Sequence, residues 1–218
     1  VSDTDSFIEE VTEEVRRDRL FAFLRKYGWI GITLVVLVVG GAAVNEWQKA
    51  RARAAAQAFG DAIIDALSAE DPAARAEALE QIPADGPGAR AVVELLAADA
   101  LLQAERRDEA LARLNALAAD QELPDLYRQL AELKAVILAD AQMDPAERKA
   151  VLDRLAQPGA PYRALAMEQQ ALLLVEQGDT AAAIEQFRLV AQEPGASADL
   201  RRRANQMILV LGGAPGAA

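Results

Sequence analysis

The chain has 218 residues, enough for one anchor segment and one domain but too few for two large cores. It contains no histidine and no cysteine, so Ser-His-Asp and Cys-His chemistry, His or Cys zinc sites and disulfides are all excluded. A net charge of -11 argues against a nucleic-acid surface, and 52% hydrophobic against 5% aromatic content, mostly alanine, leucine and valine, points to an all-α protein.

Residues 1–26 read as an amphipathic cytoplasmic segment. Phe7, Ile8, Val11 and Val15 recur at helical spacing and are followed by Leu20, Phe21, Phe23 and Leu24. The opposite face carries Glu9, Glu10, Glu13 and Glu14, then Arg16, Arg17 and Arg19, so acids precede bases as the helix dipole prefers. The four glutamates lack the turn chemistry of a calcium loop, so a solvated face is expected there and no metal site. The apolar face suits either the inner leaflet, with arginines reaching lipid phosphates, or a protein partner; the sequence does not choose.

Residues 27–46 form a candidate transmembrane helix. From Tyr27 to Asn45 no side chain is formally charged, and the stretch spans roughly 28 Å, close to the hydrocarbon thickness of a bilayer. Trp29 and Trp47, the only tryptophans, flank it at headgroup level, with Tyr27 beside the first. A buried core helix seldom carries charged flanks such as Arg25-Lys26 and Lys49-Arg51-Arg53. A cleaved signal peptide would explain Gly40, Gly41, Ala42 and Ala43, but the preceding segment carries seven acids, and retention of the anchor is expected. Arg16, Arg17, Arg19, Arg25 and Lys26 before the span outnumber Lys49, Arg51 and Arg53 after it, which places the N-terminus in the cytoplasm. The rest would then be periplasmic, in a bacterial inner-membrane setting.

Residues 47–211 alternate alanine-rich helical stretches with short punctuation. The first, 47–68, continues from the anchor. Breaks are expected at Asp71-Pro72, Pro83 to Gly88, Leu123-Pro124-Asp125, Asp144-Pro145, Pro158 to Pro161, Gly178-Asp179 and Pro194 to Ser197. Asp144, Pro145 and Glu147 make a helix start: a capping acid, a proline and a third-position acid. Residues 164–194 resemble a tetratricopeptide repeat, with small Ala171, large Leu174, turn Gly178, small Ala183, large Phe187 and closing Pro194. Met167 stands where tryptophan is common and Gln170 where an apolar residue is expected. A second copy carries Ala98, Leu101, Ala110, Leu114 and Leu117, with Glu105 in the glycine position. Leu130, Ala135, Leu138, Val151 and Leu155 form a degenerate third, and three units suffice for a stable helical solenoid. Asp199 to Leu211 is the closing helix, whose Arg201, Arg202 and Arg203 read as a solvated face, and 212–218 as a flexible tail.

With one span, the stretch Ala52-Arg53-Ala54-Ala55-Ala56-Gln57-Ala58-Phe59 and degenerate repeats, the chain resembles the YfgM-like family over most of residues 20–211. The resemblance implies an inner-membrane, non-enzymatic protein with a periplasmic repeat domain, working beside a SecYEG-type translocon and a PpiD-type periplasmic chaperone, and assisting exported clients. The N-terminal segment is longer than in enterobacterial members, which brings a different partner into play. The alternative is an accessory or assembly subunit of another inner-membrane complex, respiratory or divisome. Membrane lipid is an expected partner; nucleic acid, cofactor and catalytic residue are not. From residue 46 on, 18 basic residues face 27 acidic ones, a charge of -9 that favours basic or amphipathic partners. Tyr127, Arg128, Tyr162, Arg163 and Met167 are candidate protein-binding residues, because aromatics and arginines are the usual interface anchors.

Overall fold

Alanine-rich stretches and their punctuation fold into nine α-helices and one short 3-10 turn among the described residues, with no strand. The computed structural model describes residues 2–214, with side chains from Arg25 onward except those of Tyr27, Gly28, Ile32 and Ala141. The two faces expected of residues 7–24, including the glutamate cluster, the placement of Tyr27 and residues 215–218 lie outside what is described.

The first helix, α1, runs Ser2–Leu67, and the chain divides into two compact units after Ala58. In the first unit, Leu34, Val35, Val36, Leu37, Val38 and Val39 are all exposed, covered by none of the described residues. One stretch among the described residues, Trp29–Leu67, is long and apolar enough to cross a membrane. Its one hydroxyl with a described partner is satisfied within the helix: Thr33 Oγ1 donates to the Trp29 carbonyl at 2.9 Å. At the far end the Arg51 guanidinium lies 5.1 Å from the centre of the Trp47 ring, a cation–π contact.

The second unit holds the end of α1 and the remaining helices: α2 (Pro72–Glu80), α3 (Pro87–Gln103), α4 (Arg107–Ala119), α5 (Asp125–Ala139), α6 (Pro145–Leu155), α7 (Arg163–Glu176), α8 (Thr180–Gln192) and α9 (Ala198–Val210). Each helix from α2 to α5, and each from α6 to α9, packs mainly on its neighbour in the chain. Short connections force those neighbours antiparallel, so the unit is a tetratricopeptide-like solenoid in which α3, α5, α7 and α9 run the same way.

Small residues permit the close approach. Ala98, Ala110, Ala171 and Ala183 are all essentially buried, and the large Leu101, Leu114 and Phe187 fill the spaces beside them. One core runs from Ala66 to Leu138 and a second from Ala164 to Ile208. Where α5 and α6 touch only sparsely, a third cluster of Leu133, Val136, Leu152, Leu155, Ala166 and Leu173 bridges the two.

The punctuation acts as caps. Asp71 accepts from the Ala73 and Ala74 amides, Asp144 from Ala146 and Glu147, Asp179 from Ala182, and Ser197 from Leu200. Pro72, Pro87 and Pro145 stand in the first turn, where the missing amide is not needed. Three of the four parallel helices end alike. After α3, Glu105 N–H donates to Leu102 O and Arg106 N–H to Leu101 O; after α7, Gly178 and Asp179 do the same to Val175 and Leu174; after α9, Gly212 and Gly213 to Leu209 and Ile208. Residues 212–214 thus close the last helix, and Arg188 also donates to the Ala214 carbonyl at 3.2 Å. The exception is α5, which ends at Asp140 (φ 43°) and continues into a three-residue 3-10 turn, Asp140–Gln142.

Candidate functional site

The parallel helices carry two long-range ion pairs with the same sequence separation. Lys134 Nζ of α5 meets Asp99 Oδ1 of α3 at 2.6 Å, and the Arg203 guanidinium of α9 grips Glu168 of α7 through two bonds of 2.9 Å, each pair 35 residues apart. The first pair sets Asp99 of α3 opposite Lys134 of α5. One turn beyond the first pair come Leu102 of α3 and Ile137 of α5, 44% and 45% exposed. The corresponding residue of α7, one turn before its closing Gly178, is the half-buried Val175; that of α9, one turn before Gly212, is Leu209, 58% exposed. Leu102, Ile137, Val175 and Leu209 therefore share one position relative to the positive-φ residue that follows each helix, Glu105, Asp140, Gly178 and Gly212. Residue choice produces this row: the turn three residues later fixes which face each side chain takes.

Acids border the row. Glu105, Asp140 and Glu176 follow Leu102, Ile137 and Val175 within one turn and are all solvent-exposed. The neighbouring bases are occupied. Arg107 donates to the Leu138 carbonyl, Arg106 holds Glu109, and Lys134 holds Asp99. The buried Arg148 takes Glu176 through bonds of 2.7 and 3.1 Å, with Asp140 at 3.4 Å. Arg148 thus pairs with two of the three framing acids, and the frame of three acids against this one base keeps a net negative charge.

The five residues singled out by type fall elsewhere. Met167 is 6% exposed inside the second core and supports the surface from beneath. Tyr127 is half-buried against the first core, where its ring leaves 3.8 Å to a side chain grown from Gly88. Tyr162 packs on the bridging cluster; burial pushes its hydroxyl above the usual tyrosine range, and the nearby Tyr127 adds to the shift. Arg163 is a clamp. Its Nε meets Glu193 at 3.1 Å and its guanidinium also reaches the Ala156 carbonyl, tying the start of α7 to the end of α8. Arg90 plays the equivalent part in the second copy, reaching Asp120 at 2.9 Å and Glu122 at 3.2 Å past the end of α4. In both copies the arginine and its acid are 30 residues apart, a repeat signal that a search for hydrophobic offsets passes over.

Arg128 holds Asp125 and, at 2.9 Å, Gln121. It lines a cleft of about 660 Å³ closed by the Pro158–Pro161 loop; Tyr162 and Arg163 line another on the far side of that loop. The arginines of α9 are spent within the fold: Arg201 donates to the Ala196 carbonyl, Arg202 pairs with Asp199, and Arg203 with Glu168. All three are exposed, as expected of a solvated face, while also pairing within the chain. The hydrogen bond that Arg203 donates to Glu168 raises the Arg203 pKa. The signal for the aliphatic row was present in the sequence as the recurrence of Leu102 and Ile137 around the Asp99–Lys134 pair.

The family model described as tetratricopeptide repeat-like domain matches residues 22–209. No curated protein and no solved structure matches the chain.

Proposed function

We propose that this chain, which belongs to the tetratricopeptide repeat-like domain family, is a membrane-anchored scaffold that receives a basic, amphipathic protein segment on the row Leu102, Ile137, Val175 and Leu209. The family supports a protein-interaction role in general. The observation that carries the specific reading is this set: exposed Leu102, Ile137 and Leu209 and half-buried Val175, each three residues before the positive-φ residue that follows its helix, with Glu105, Asp140 and Glu176 within one turn of three of them. Apolar burial supplies the attraction, at about 25 cal/mol per Å² removed from water, and the acidic frame selects the sign of the partner. Arg128, on the rim of its cleft, is a further proposed contact; Tyr127, Tyr162, Arg163 and Met167 act as support beneath the surface.

The span at residues 27–46, with its uncovered aliphatic face, supports anchoring in a bacterial inner membrane. The excess of bases before it supports a cytoplasmic N-terminus and a periplasmic repeat domain. The partner proposed is a SecYEG-type translocon with a PpiD-type chaperone, where the scaffold assists exported proteins; the layout of span and degenerate repeats supports this. The test is a pull-down of tagged full-length chain from membranes in mild detergent, compared with the double variant Leu102→Asp, Ile137→Asp. Recovery of translocon subunits and a periplasmic chaperone by the wild type, at least tenfold reduced in the variant, is expected. Recovery of a different stoichiometric complex, respiratory or divisome, overturns the translocon reading; equal recovery by both proteins overturns the row.

A further inference from the structure

A second surface lies where the repeat pattern is broken. Gln170 occupies the position at which the repeat places an apolar residue, and it opens a notch of about 200 Å³ between α6, α7 and α8. Polar side chains cross this notch in sequence. Gln186 Nε2 donates to Gln170 Oε1 at 2.9 Å, Gln170 Nε2 donates to Asp153 Oδ1 at 2.7 Å, and Lys149 Nζ donates to Asp153 Oδ2 at 2.7 Å. The buried Leu173 and half-buried Leu174 form the floor.

We infer that this notch is a binding site for an uncharged, extended peptide segment that inserts one aliphatic side chain between Gln170 and the leucine floor. Two arguments select that occupant. The first is electrostatic. From residue 46 on the chain carries a charge of -9, yet in the notch Asp153 is matched by Lys149 and every other lining residue is neutral. A charged side chain would lose hydration without a free counter-charge, and an apolar one loses nothing. The second is hydrogen-bonding capacity. The chain of bonds uses one of the two N–H groups of Gln170 and one of Gln186, so each retains a donor, and Gln186 Oε1 remains an acceptor. An extended backbone offers N–H and C=O groups alternately every ~3.3 Å, which these amides complement. The volume is below the roughly 300 Å³ at which small-molecule pockets begin, so a single side chain fits where a cofactor does not.

The site is separate from the aliphatic row, and its failure leaves the proposed function standing. The test is fluorescence anisotropy with full-length chain in mild detergent. The probe is a fluorescein-labelled, serine- and asparagine-rich octapeptide with one central leucine, beside the same peptide with a central aspartate. Saturable binding of the leucine peptide is expected, weakened at least tenfold by the aspartate peptide. Gln170→Leu fills the notch and restores the apolar pattern; it should weaken binding at least tenfold without lowering the thermal unfolding midpoint. Gln186→Ala, which removes one end of the bonded chain, should weaken binding in a protein whose α7 packing is untouched. Leu102→Asp should leave binding unchanged. Equal binding by wild type and Gln170→Leu overturns the inference, as does the absence of saturable binding to wild type. Self-association that Gln170→Leu abolishes would give the notch to a second copy of the chain and would also overturn it.

Discussion

The hairpins α3–α4 and α7–α8 close with the same two backbone bonds, yet one turns on Glu105 (φ 61°) and the other on Gly178 (φ 79°). A left-handed residue other than glycine costs about 1–2 kcal/mol, so the α3–α4 turn is held against its local preference. What holds it is common to both copies: the buried alanines that let the helices meet, Ala98 with Ala110 and Ala171 with Ala183, and the arginine clamps Arg90 and Arg163. The glycine is a convenience of the repeat, and the packing is its cause.

If packing is the cause, damage to it has the largest effect, and in both hairpins. Ala98→Leu and Ala171→Leu each insert bulk at a position without free space and should destabilise the chain by about 1–3 kcal/mol, read from urea unfolding followed by helical circular dichroism in mild detergent. A loss confined to Ala171→Leu would break the comparison, because it would leave α3–α4 held by something other than close approach. The turn residues should follow with opposite signs. Glu105→Gly relieves the backbone and should stabilise by about 1 kcal/mol, while Gly178→Ala should destabilise by about 1 kcal/mol. No atom lies within 4 Å of a side-chain carbon built at Gly178, so that cost is conformational and free of any clash.

The clamps sharpen the comparison further. Arg163 and Glu193 are 30% and 17% exposed, against 43% and 30% for Arg90 and Asp120. Arg163→Ala should therefore cost about 1 kcal/mol, and Arg90→Ala less, since its pair is the more hydrated. The same urea titration measures both; a larger loss for Arg90→Ala would show that exposure does not set the strength of these clamps.

The parts of this molecule that could be read from sequence are those written in local chemistry. Asp71-Pro72, Asp144-Pro145 and Gly178-Asp179 punctuate the chain, and each became a helix start or turn. The break at Glu105 was harder to see, since neither glycine nor proline marks it and the strain is borne by contacts distant in sequence. The 3-10 turn at Asp140–Gln142 was invisible for the same reason. The surface was the least legible. Choosing aromatics and arginines by type led to Met167, which is core, and to Arg163, which is a clamp, because a side chain's role in a solenoid depends on register between helices. The aliphatic row emerges only once Asp99 and Lys134 are placed opposite each other.

The smallest effect tests that inter-helix placement through a proton. Burial raises the Tyr162 pKa, and the nearby Tyr127 contributes when ionised. The folded chain thus holds this proton more tightly than the unfolded chain does. The stability linked to it is fully present below the ordinary tyrosine value of about 10 and is lost as pH rises through the folded value. In an alkaline titration followed by phenolate absorbance, Tyr162→Phe should remove the step at highest pH. Tyr127→Phe should move that step toward lower pH, because the Tyr127 charge no longer opposes ionisation of Tyr162. A Tyr162 step unmoved by Tyr127→Phe would separate the starts of α5 and α7, which the interaction of these two hydroxyls places together.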